Sequence, residues 1–542
     1  MLLIMFLSGI VISIPYLFEG VGFISYIALV PFVWILIEKI PEMTKRRAYA
    51  YGLVFGLGYY IPMYYWFLHF YALINTMDVS EGTVIFLCIL CWLGLALIQA
   101  LEFGAVTLLY RIIRPKKEKK LICSALTVAL WVLFEWQQSF FWRGVPWARL
   151  AVTQTGSLFA LQSASIFGNL FVSALIVFIN VLLYLAIREA RKRLDATDVK
   201  SVFRSIANKK TAIFSALALG IFTLNILFGV IKVATTDVKS DTPVNVAVIQ
   251  ANISSYDNKG FYYSFDKYIE MTENCVSETG AKIVVWPETV LATEINKYKG
   301  VMAELQITAR LNNIYLLVGA FDEKELDGVR QEYNAIYLFR PDGSVDEQRY
   351  YKRQLVPFGE SNPLGAVAKI LPFEIFDFFN DSKLVAGENP NLFDTEYGKI
   401  GATICFDSIY EYVTREATQE GAQIITLSTH DSWFSDSKAV YQHNRHAQIR
   451  AIENGRYIVR AASTGTSTVI SPNGQVLTQI APLTEGYTTY DVYALSDRTL
   501  YTCVGDLVAY ISLAFVVGVV SFNIVNHVKN KKGVKNDDSS KS

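Results

Sequence analysis

Runs of apolar residues long enough to cross a bilayer constrain this chain more than any other feature. A span needs about 20 apolar residues at 1.5 Å rise per residue. Such runs lie near 2–17, 22–38, 48–71, 83–110, 121–142, 163–187 and 211–234, with one more at 505–526. The first resembles a secretory signal in length. It has no basic residues before it and no small-residue cleavage site, and a second run follows at once, so it is expected to be retained as a helix. Composition agrees, since 52% of the 542 residues are hydrophobic, 18% are charged and the mean hydropathy is +0.30. That is too apolar for an ordinary soluble chain.

Net charge says little, because 49 basic residues balance 49 acidic ones, and no nucleic-acid partner is implied. The distribution of charge says more. Segments 38–47, 111–120 and 188–210 and the tail after 527 hold nearly all the basic residues outside the middle of the chain. The alternate loops near 18–21, 72–82 and 143–156 hold only Arg143 and Arg149. Eight spans with both ends cytoplasmic satisfy the positive-inside rule at every short loop and put 235–504 on the extracytoplasmic side. The expected layout is a membrane domain of about seven helices at 1–234, an external domain at 241–498, a last helix at 505–526 and a basic cytoplasmic tail at 527–542. Cys88, Cys91 and Cys123 fall in the spans and Cys503 at a boundary, which leaves Cys275 and Cys405 outside and no disulfide framework. Cys88-x-x-Cys91 has metal-like spacing, but on an apolar helix it reads as packing sulfur, and no metal is expected there.

From about 241 the texture changes to alternating strands and helices. Strands are expected at 244–253, in the apolar run of 281–289 that stops at Trp286-Pro287-Glu288, at 314–321, in two runs joined at Pro341-Asp342-Gly343, at "GKIGATIC", "AQIITLST" and "RYIVRAAS", and in the hairpin "STVISPNGQVLTQI". Helical patterns lie at 264–279, 299–312, 409–420 and 437–455. This alternation indicates an α/β sandwich of sheets covered by helices. In such folds the loops after strand ends gather reactive groups, and three strand ends stand out: Glu288, Lys352 and Cys405. Each has a plain alternative. A cysteine in an apolar run such as "IGATICFDS" is usually core, Glu288 reads equally as a capping acid, and Lys352 as a solvated lysine. Together they supply the base, the cation and the thiol that nucleophilic acyl transfer needs.

At these residues a resemblance enters. Trp286-Pro287-Glu288-Thr289, Lys352-x-x-Leu355-Val356-Pro357-Phe358-Gly359-Glu360 and Ile404-Cys405-Phe406 resemble the Glu-Lys-Cys motifs of the nitrilase, or carbon–nitrogen hydrolase, superfamily. "HDSWFSDS" at 430–437 and "QHNRHAQIRAIENGRYIVRAASTGTS" at 442–467 are similar to its downstream signature. The Leu-Val-Pro-Phe-Gly-Glu variant, "KRRAYAYGLVFGLGYYIPMYYWF" (45–67) and "ALWVLFEWQQSFFWRGVPW" (129–147) point to the apolipoprotein N-acyltransferase branch.

The resemblance implies a multispan helical domain joined to an αββα sandwich. It implies transfer of an acyl chain from a membrane phospholipid to Cys405 as a thioester, and then to the α-amino group of a lipoprotein's N-terminal diacylglyceryl-cysteine. Glu288 would be the base and Lys352 the oxyanion stabiliser, with no cofactor and no metal. Supporting roles are expected for Glu360 beside the lysine, for Phe406 and Asp407 after the cysteine, and for Trp433 in the acyl pocket wall. Glu360 reads equally as a loop-stabilising acid, and Trp433 as core. His443 and His446 share a helical face without implying a metal, whereas Arg450, Glu453 and Arg456 are expected to make structural ion pairs. Glu135, ionisable within an apolar run, flags either function or a buried pair. Three positions depart from the family pattern: Asp407 where glutamate is common, His430 where asparagine is common, and "QANISSYDNKG" (250–260), which lacks the usual Pro-Gln. A membrane-tethered amidase or nitrilase with the same triad, and a degenerate scaffold protein, are the competing readings.

Overall fold

The computed structural model describes residues 1–71, 80–115, 119–140, 144–192, 208–236, 238–239, 242–254, 260–326, 328–357, 359–361 and 384–539. Arg143, most of the loops at 72–82 and 188–210, and part of "QANISSYDNKG" lie outside them. The chain forms two compact units. One comprises Met1–Tyr65, Leu90–Ile231 and Asp506–Ser542, and the other Trp66–Ile89 and Lys232–Gly505.

Six helices among the described residues are long and apolar enough to cross a membrane: Gly22–Glu42, Glu81–Ile113, Lys120–Gln137, Asn169–Arg191, Lys209–Thr235 and Leu507–Lys529. The other two expected spans fall short of that standard. Leu2–Leu17 has 16 residues. The run at 48–71 is helical only as Lys45–Met63, begins with three basic residues and gives way to a 3-10 turn at Tyr65–Phe70. The run at 163–187 is broken at Gly168 (φ 77°), where a short turn hands over to Asn169–Arg191.

Leu2–Leu17 and Lys45–Met63 cross through bare backbone. A Cβ on Gly9 would sit 2.3 Å from the Phe55 carbonyl oxygen, and one on Gly58 2.2 Å from that of Phe6. This is small-residue packing, which lets helix backbones approach closely where water gives no drive to associate. Polar contacts tie the helix ends together. Arg188 Nε lies 2.6 Å from Glu38 Oε1, Arg111 Nε donates to the Met43 carbonyl at 3.0 Å, and Asn523 Nδ2 donates to the Ile113 carbonyl at 2.5 Å. Glu135 is buried and accepts from the Trp131 indole at 2.9 Å and the Leu150 N–H at 3.0 Å, so it braces the turn at Leu150–Gln154.

Among the described residues, the second unit carries thirteen strands in two sheets. The first sheet contains β1 (Pro243–Gln250), β2 (Ile283–Val285), β3 (Leu291–Glu294), β4 (Tyr315–Leu326), β5 (Val329–Phe339), β6 (Tyr350–Tyr351) and β13 (Gly486–Tyr493), in the order β13-β1-β2-β4-β5-β6 with β3 beside β4. The second contains β7 (Leu392–Thr395), β8 (Gly398–Ile404), β9 (Ile424–Thr429), β10 (Tyr457–Ala462), β11 (Ser467–Ile470) and β12 (Val476–Ile480), in the order β12-β11-β10-β9-β8-β7.

Alternation along each strand explains the layers. Val244, Val246 and Val248 of β1 pack with Ile400, Ile404 and Val459 between the sheets. Ala247 and Ile249 face the other way, with Phe265, Tyr268 and Leu305 of helices Phe261–Thr279 and Lys299–Leu311. On the far face of the second sheet, Ile425, Leu427 and Ile458 meet Ala417 of helix Glu411–Gln419, and Ala447 and Ala451 of helix Lys438–Asn454. The result is four layers, αββα. Strands covered on both faces read as unbroken apolar runs.

The apolar run that stops at Trp286-Pro287-Glu288 is β2, and Pro287, which cannot donate to a ladder, marks where the backbone leaves the sheet. The run after Pro341-Asp342-Gly343, expected as a full strand, returns to β5 through a single bridge of Val345 to Phe339 and the two residues of β6. The antiparallel pairing of β4 with β5, from Leu316 opposite Phe339 to Leu326 opposite Val329, has no expected counterpart.

Gly319 of β4 positions the Glu288 loop. A Cβ there would meet the Pro287 carbonyl oxygen at 2.2 Å and Glu288 Cα at 2.8 Å. Gly319→Ala is therefore expected to displace Glu288 and cost about 1–3 kcal/mol of stability. A lowered melting temperature together with an activity loss greater than the unfolded fraction checks this, whereas a variant with wild-type melting and turnover contradicts it.

Candidate active site

Glu288, Lys352 and Cys405 come from three loops at strand ends, and their side chains form one electrostatic cluster. The Glu288 loop is tethered on both sides. The Trp286 indole donates to Thr272 Oγ1 at 2.9 Å, and the Trp286 carbonyl accepts from Ser428 Oγ of β9, in the other sheet, at 2.8 Å. Thr289 closes the loop at φ 43°. The Glu288 carboxylate is 3% exposed. Its Oε1 accepts from Lys352 Nζ at 2.8 Å and from Asn334 Nδ2 at 2.7 Å, and its Oε2 from the His430 main-chain N–H at 2.9 Å.

Lys352 follows β6 and is 1% exposed, which rules out the solvated-lysine alternative. Its backbone N–H donates to the Asn334 carbonyl, and its own carbonyl accepts from Gly387, both at 2.8 Å. The ammonium lies between two carboxylates, Glu288 and Glu360, the latter at 2.7 Å. Glu360 does both things expected of it as alternatives, because its second oxygen accepts from the Val356 N–H at 2.9 Å and so fixes its own loop.

These contacts set the titration. Burial works against both charges, yet the mutual attraction wins. Lys352, Asn334 and His430 hold the Glu288 carboxyl below its ordinary value, and Glu288 and Glu360 hold the Lys352 ammonium well above its own. The Cys405 thiol goes the other way. Burial and the Glu288 charge push it well up, and the pull of Lys352 does not cancel them. One cation facing two anions leaves a net negative cluster, so the resting thiol keeps its proton with a carboxylate at hand to take it.

Cys405 sits where β8 runs into a 3-10 turn, Cys405–Ile409, with φ at 46°. A left-handed non-glycine residue costs about 1–2 kcal/mol, which the surroundings must repay. Asp407 supplies part of that. Its Oδ2 accepts from Tyr350 Oη at 2.7 Å and the Ile404 N–H at 3.0 Å, and its Oδ1 from Gln354 N–H at 2.7 Å and Arg353 N–H at 3.2 Å. One carboxylate thus ties the residue before Cys405 to the two residues after Lys352. Burial pushes the Asp407 carboxyl up to about 6, against the pull of those donors. Phe406 packs edge-on against Tyr410, with ring centroids 5.5 Å apart. Trp433 is half-buried beside Phe70, and Phe434 next to it meets Trp66.

Sequence reasoning missed Asn334 and Tyr350, which lie in strands with no motif around them; two consecutive tyrosines before a lysine carried the only signal. Arg456 corrects an expectation, since it donates to the main-chain carbonyls of Ala422 at 2.7 Å and Asp497 at 2.6 Å. Arg450 does pair with Glu453, at 3.1 Å. His446 is buried. His430, in place of asparagine, contributes its backbone to Glu288, and burial keeps its imidazole below the ordinary value.

The four-layer sandwich and this cluster define a carbon–nitrogen hydrolase unit, and residues 245–497 match the model of that family. Residues 8–182 match the apolipoprotein N-acyltransferase N-terminal domain. An apolipoprotein N-acyltransferase of Geobacter metallireducens is 28% identical over 531 residues, covering 95% of this chain and 94% of its own. Apolipoprotein N-acyltransferase 1 of Treponema denticola is 25% identical over 550 residues, with 95% and 94% covered. Among solved structures, a nitrilase-superfamily protein of Saccharomyces cerevisiae aligns with 50% of this chain and 97% of its own, at 18% identity and a TM-score of 0.39. The chain belongs to the apolipoprotein N-acyltransferase family, a membrane-embedded branch of the nitrilase superfamily.

The electrostatics yield a test. Glu288→Gln removes the charge that raises the thiol while Lys352 still lowers it. The pH midpoint for alkylation of Cys405 by iodoacetamide should fall by about one unit or more, so the thiol reacts faster at neutral pH. Acyl transfer should fall in the same variant. An alkylation midpoint unchanged or raised contradicts the assignment.

Proposed function

We propose that this protein N-acylates lipoproteins by a ping-pong reaction carried on Cys405. In the first half, Glu288 takes the thiol proton as sulfur attacks an ester carbonyl of a membrane phospholipid. The tetrahedral oxyanion is stabilised by the Lys352 ammonium and by main-chain N–H groups of the turn that starts at Cys405. The carbon–oxygen bond breaks, the lysophospholipid leaves with the proton from Glu288, and the acyl chain remains as a thioester. In the second half, the α-amino group of a diacylglyceryl-cysteine attacks the thioester and gives a proton to Glu288. The carbon–sulfur bond breaks, the amide forms, and the thiolate recovers its proton.

The buried ammonium of Lys352, shared between Glu288 and Glu360, is the observation that carries this reading. It keeps Glu288 ionised in a dry site and leaves a cation beside the sulfur for the oxyanion. Glu360, Asp407 and Phe406 support the geometry, and Trp433 with Phe434 offers an aromatic wall for the acyl chain. The positive-inside rule supports an extracytoplasmic catalytic unit: the basic helix ends at Arg188 and Arg111 both reach the segment Glu38–Met43, and that end is taken as the cytoplasmic face. Helix Lys209–Thr235 starts near that end, where Asn208 donates to the Glu189 carbonyl at 3.4 Å, and a single crossing delivers residues 235–504 to the extracytoplasmic side.

The test supplies full-length protein with phospholipid vesicles and a synthetic diacylglyceryl-cysteine peptide, and detects N-acylated peptide by mass. Cys405→Ala and Lys352→Met should each lose on the order of 1,000-fold or more, because a nucleophile or oxyanion partner is removed. N-acylation that survives Cys405→Ala overturns the proposal. Consumption of a small amide with phospholipid untouched would favour the membrane-tethered hydrolase.

A further inference from the structure

Behind Cys405 lies a second set of buried charges that the acyl-transfer steps leave unused. Asp431 and Arg460 are fully buried and His443 is 1% exposed. Arg460 Nη2 donates to Asp431 Oδ2 at 2.6 Å, and its Nη1 to the Thr466 carbonyl. Asp431 Oδ1 accepts from Thr429 Oγ1 at 2.8 Å and lies 2.9 Å from His443 Nδ1. The other ring nitrogen, Nε2, is 3.1 Å from the main-chain carbonyl oxygen of Cys405 and 3.0 Å from Ser408 Oγ. Ser408 Oγ donates to that same carbonyl at 2.8 Å. Gly465 has no side chain because Asp431 fills the place, and a Cβ there would meet Oδ2 at 2.1 Å.

Cysteine, histidine and aspartate are the types found in thiol-protease triads, and here they cluster with one polar atom of each within 4.8 Å. The same types could ligate a metal. The bonding argues for neither role, since the Asp431 oxygens and both imidazole nitrogens already have protein partners, and Nε2 meets the carbonyl of Cys405. A buried histidine aimed at a backbone carbonyl holds conformation, and this backbone is the one in the left-handed region.

We propose that His443 is a positioning residue: braced by Asp431 and Arg460, its imidazole grips the carbonyl of Cys405 and so fixes how the thiol and the neighbouring amides face the acyl donor. This rests on Cys405 carrying the acyl chain. Asp407 holds the N–H of Ile404 on one side of the nucleophile and His443 with Ser408 hold its carbonyl on the other, so the left-handed residue is clamped at both ends.

Full-length protein in phosphatidylethanolamine–phosphatidylglycerol vesicles, given a diacylglyceryl-cysteine peptide, tests this by steady-state kinetics and by intact-mass measurement of acyl-Cys405. His443→Leu should lower kcat on the order of 10–100-fold with KM for the peptide within about twofold, as expected for a misaligned reacting group. His443→Gln, whose amide can still donate to the carbonyl, should return to within about fivefold of wild type. A leucine variant that acylates at the wild-type rate, a glutamine variant no better than leucine, or a loss confined to KM each overturns the inference. Should the leucine variant not fold, Ser408→Ala removes the companion donor and should lower kcat about threefold or more, and an unchanged kcat overturns it equally. Wild-type protein that forms no acyl-Cys405 removes the acyl-carrier reading itself, which separates the two failures.

Discussion

The ammonium of Lys352, buried between two carboxylates, is the interaction on which the catalytic unit depends. Taking one ion out of water costs several kcal/mol even after relaxation, and removing a single partner of a buried pair costs about 3–5 kcal/mol because the other charge is stranded. The protein meets that cost by giving the carboxylate oxygens further donors: Asn334 and the His430 N–H for Glu288, the Val356 N–H for Glu360. Each donor belongs to a different segment, namely β5, the loop after β9 and the loop after β6. The charge cluster therefore fixes where these segments stop, and the sandwich supplies the rigid ends from which they start.

Cys405 is held by a related device. Cys405 adopts a conformation that a cysteine does not choose freely, and Asp407 joins the backbone just before it to the backbone just after Lys352. The base, the cation and the thiol are thus mechanically coupled through hydrogen-bonded main chain as well as through charge. A net negative cluster keeps the thiol protonated at rest.

Much of this was legible in the sequence, for identifiable reasons. Strands covered on both faces gave unbroken apolar runs, so β1, β4, β8, β9 and β10 announced themselves, and the helices over them showed their period. The reactive residues were visible because each ends such a run within a recognisable motif. What escaped was long-range or backbone-borne. Asn334 and Tyr350 act from the faces of strands, and His430 acts through its N–H. In the membrane unit, hydropathy located the apolar runs but overextended them, since the helix from Lys45 ends at Met63 and Gly168 breaks another run without changing apolar character.

The central claim is that Cys405 carries the acyl chain as a thioester, and intact-mass spectrometry of the protein after exposure to phospholipid alone tests it most directly. The account predicts a mass gain equal to one fatty acyl group on Cys405, reversed by hydroxylamine and discharged when a diacylglyceryl-cysteine peptide is added. Protein that turns over peptide yet never carries the acyl mass, or that carries it at another residue, would contradict it.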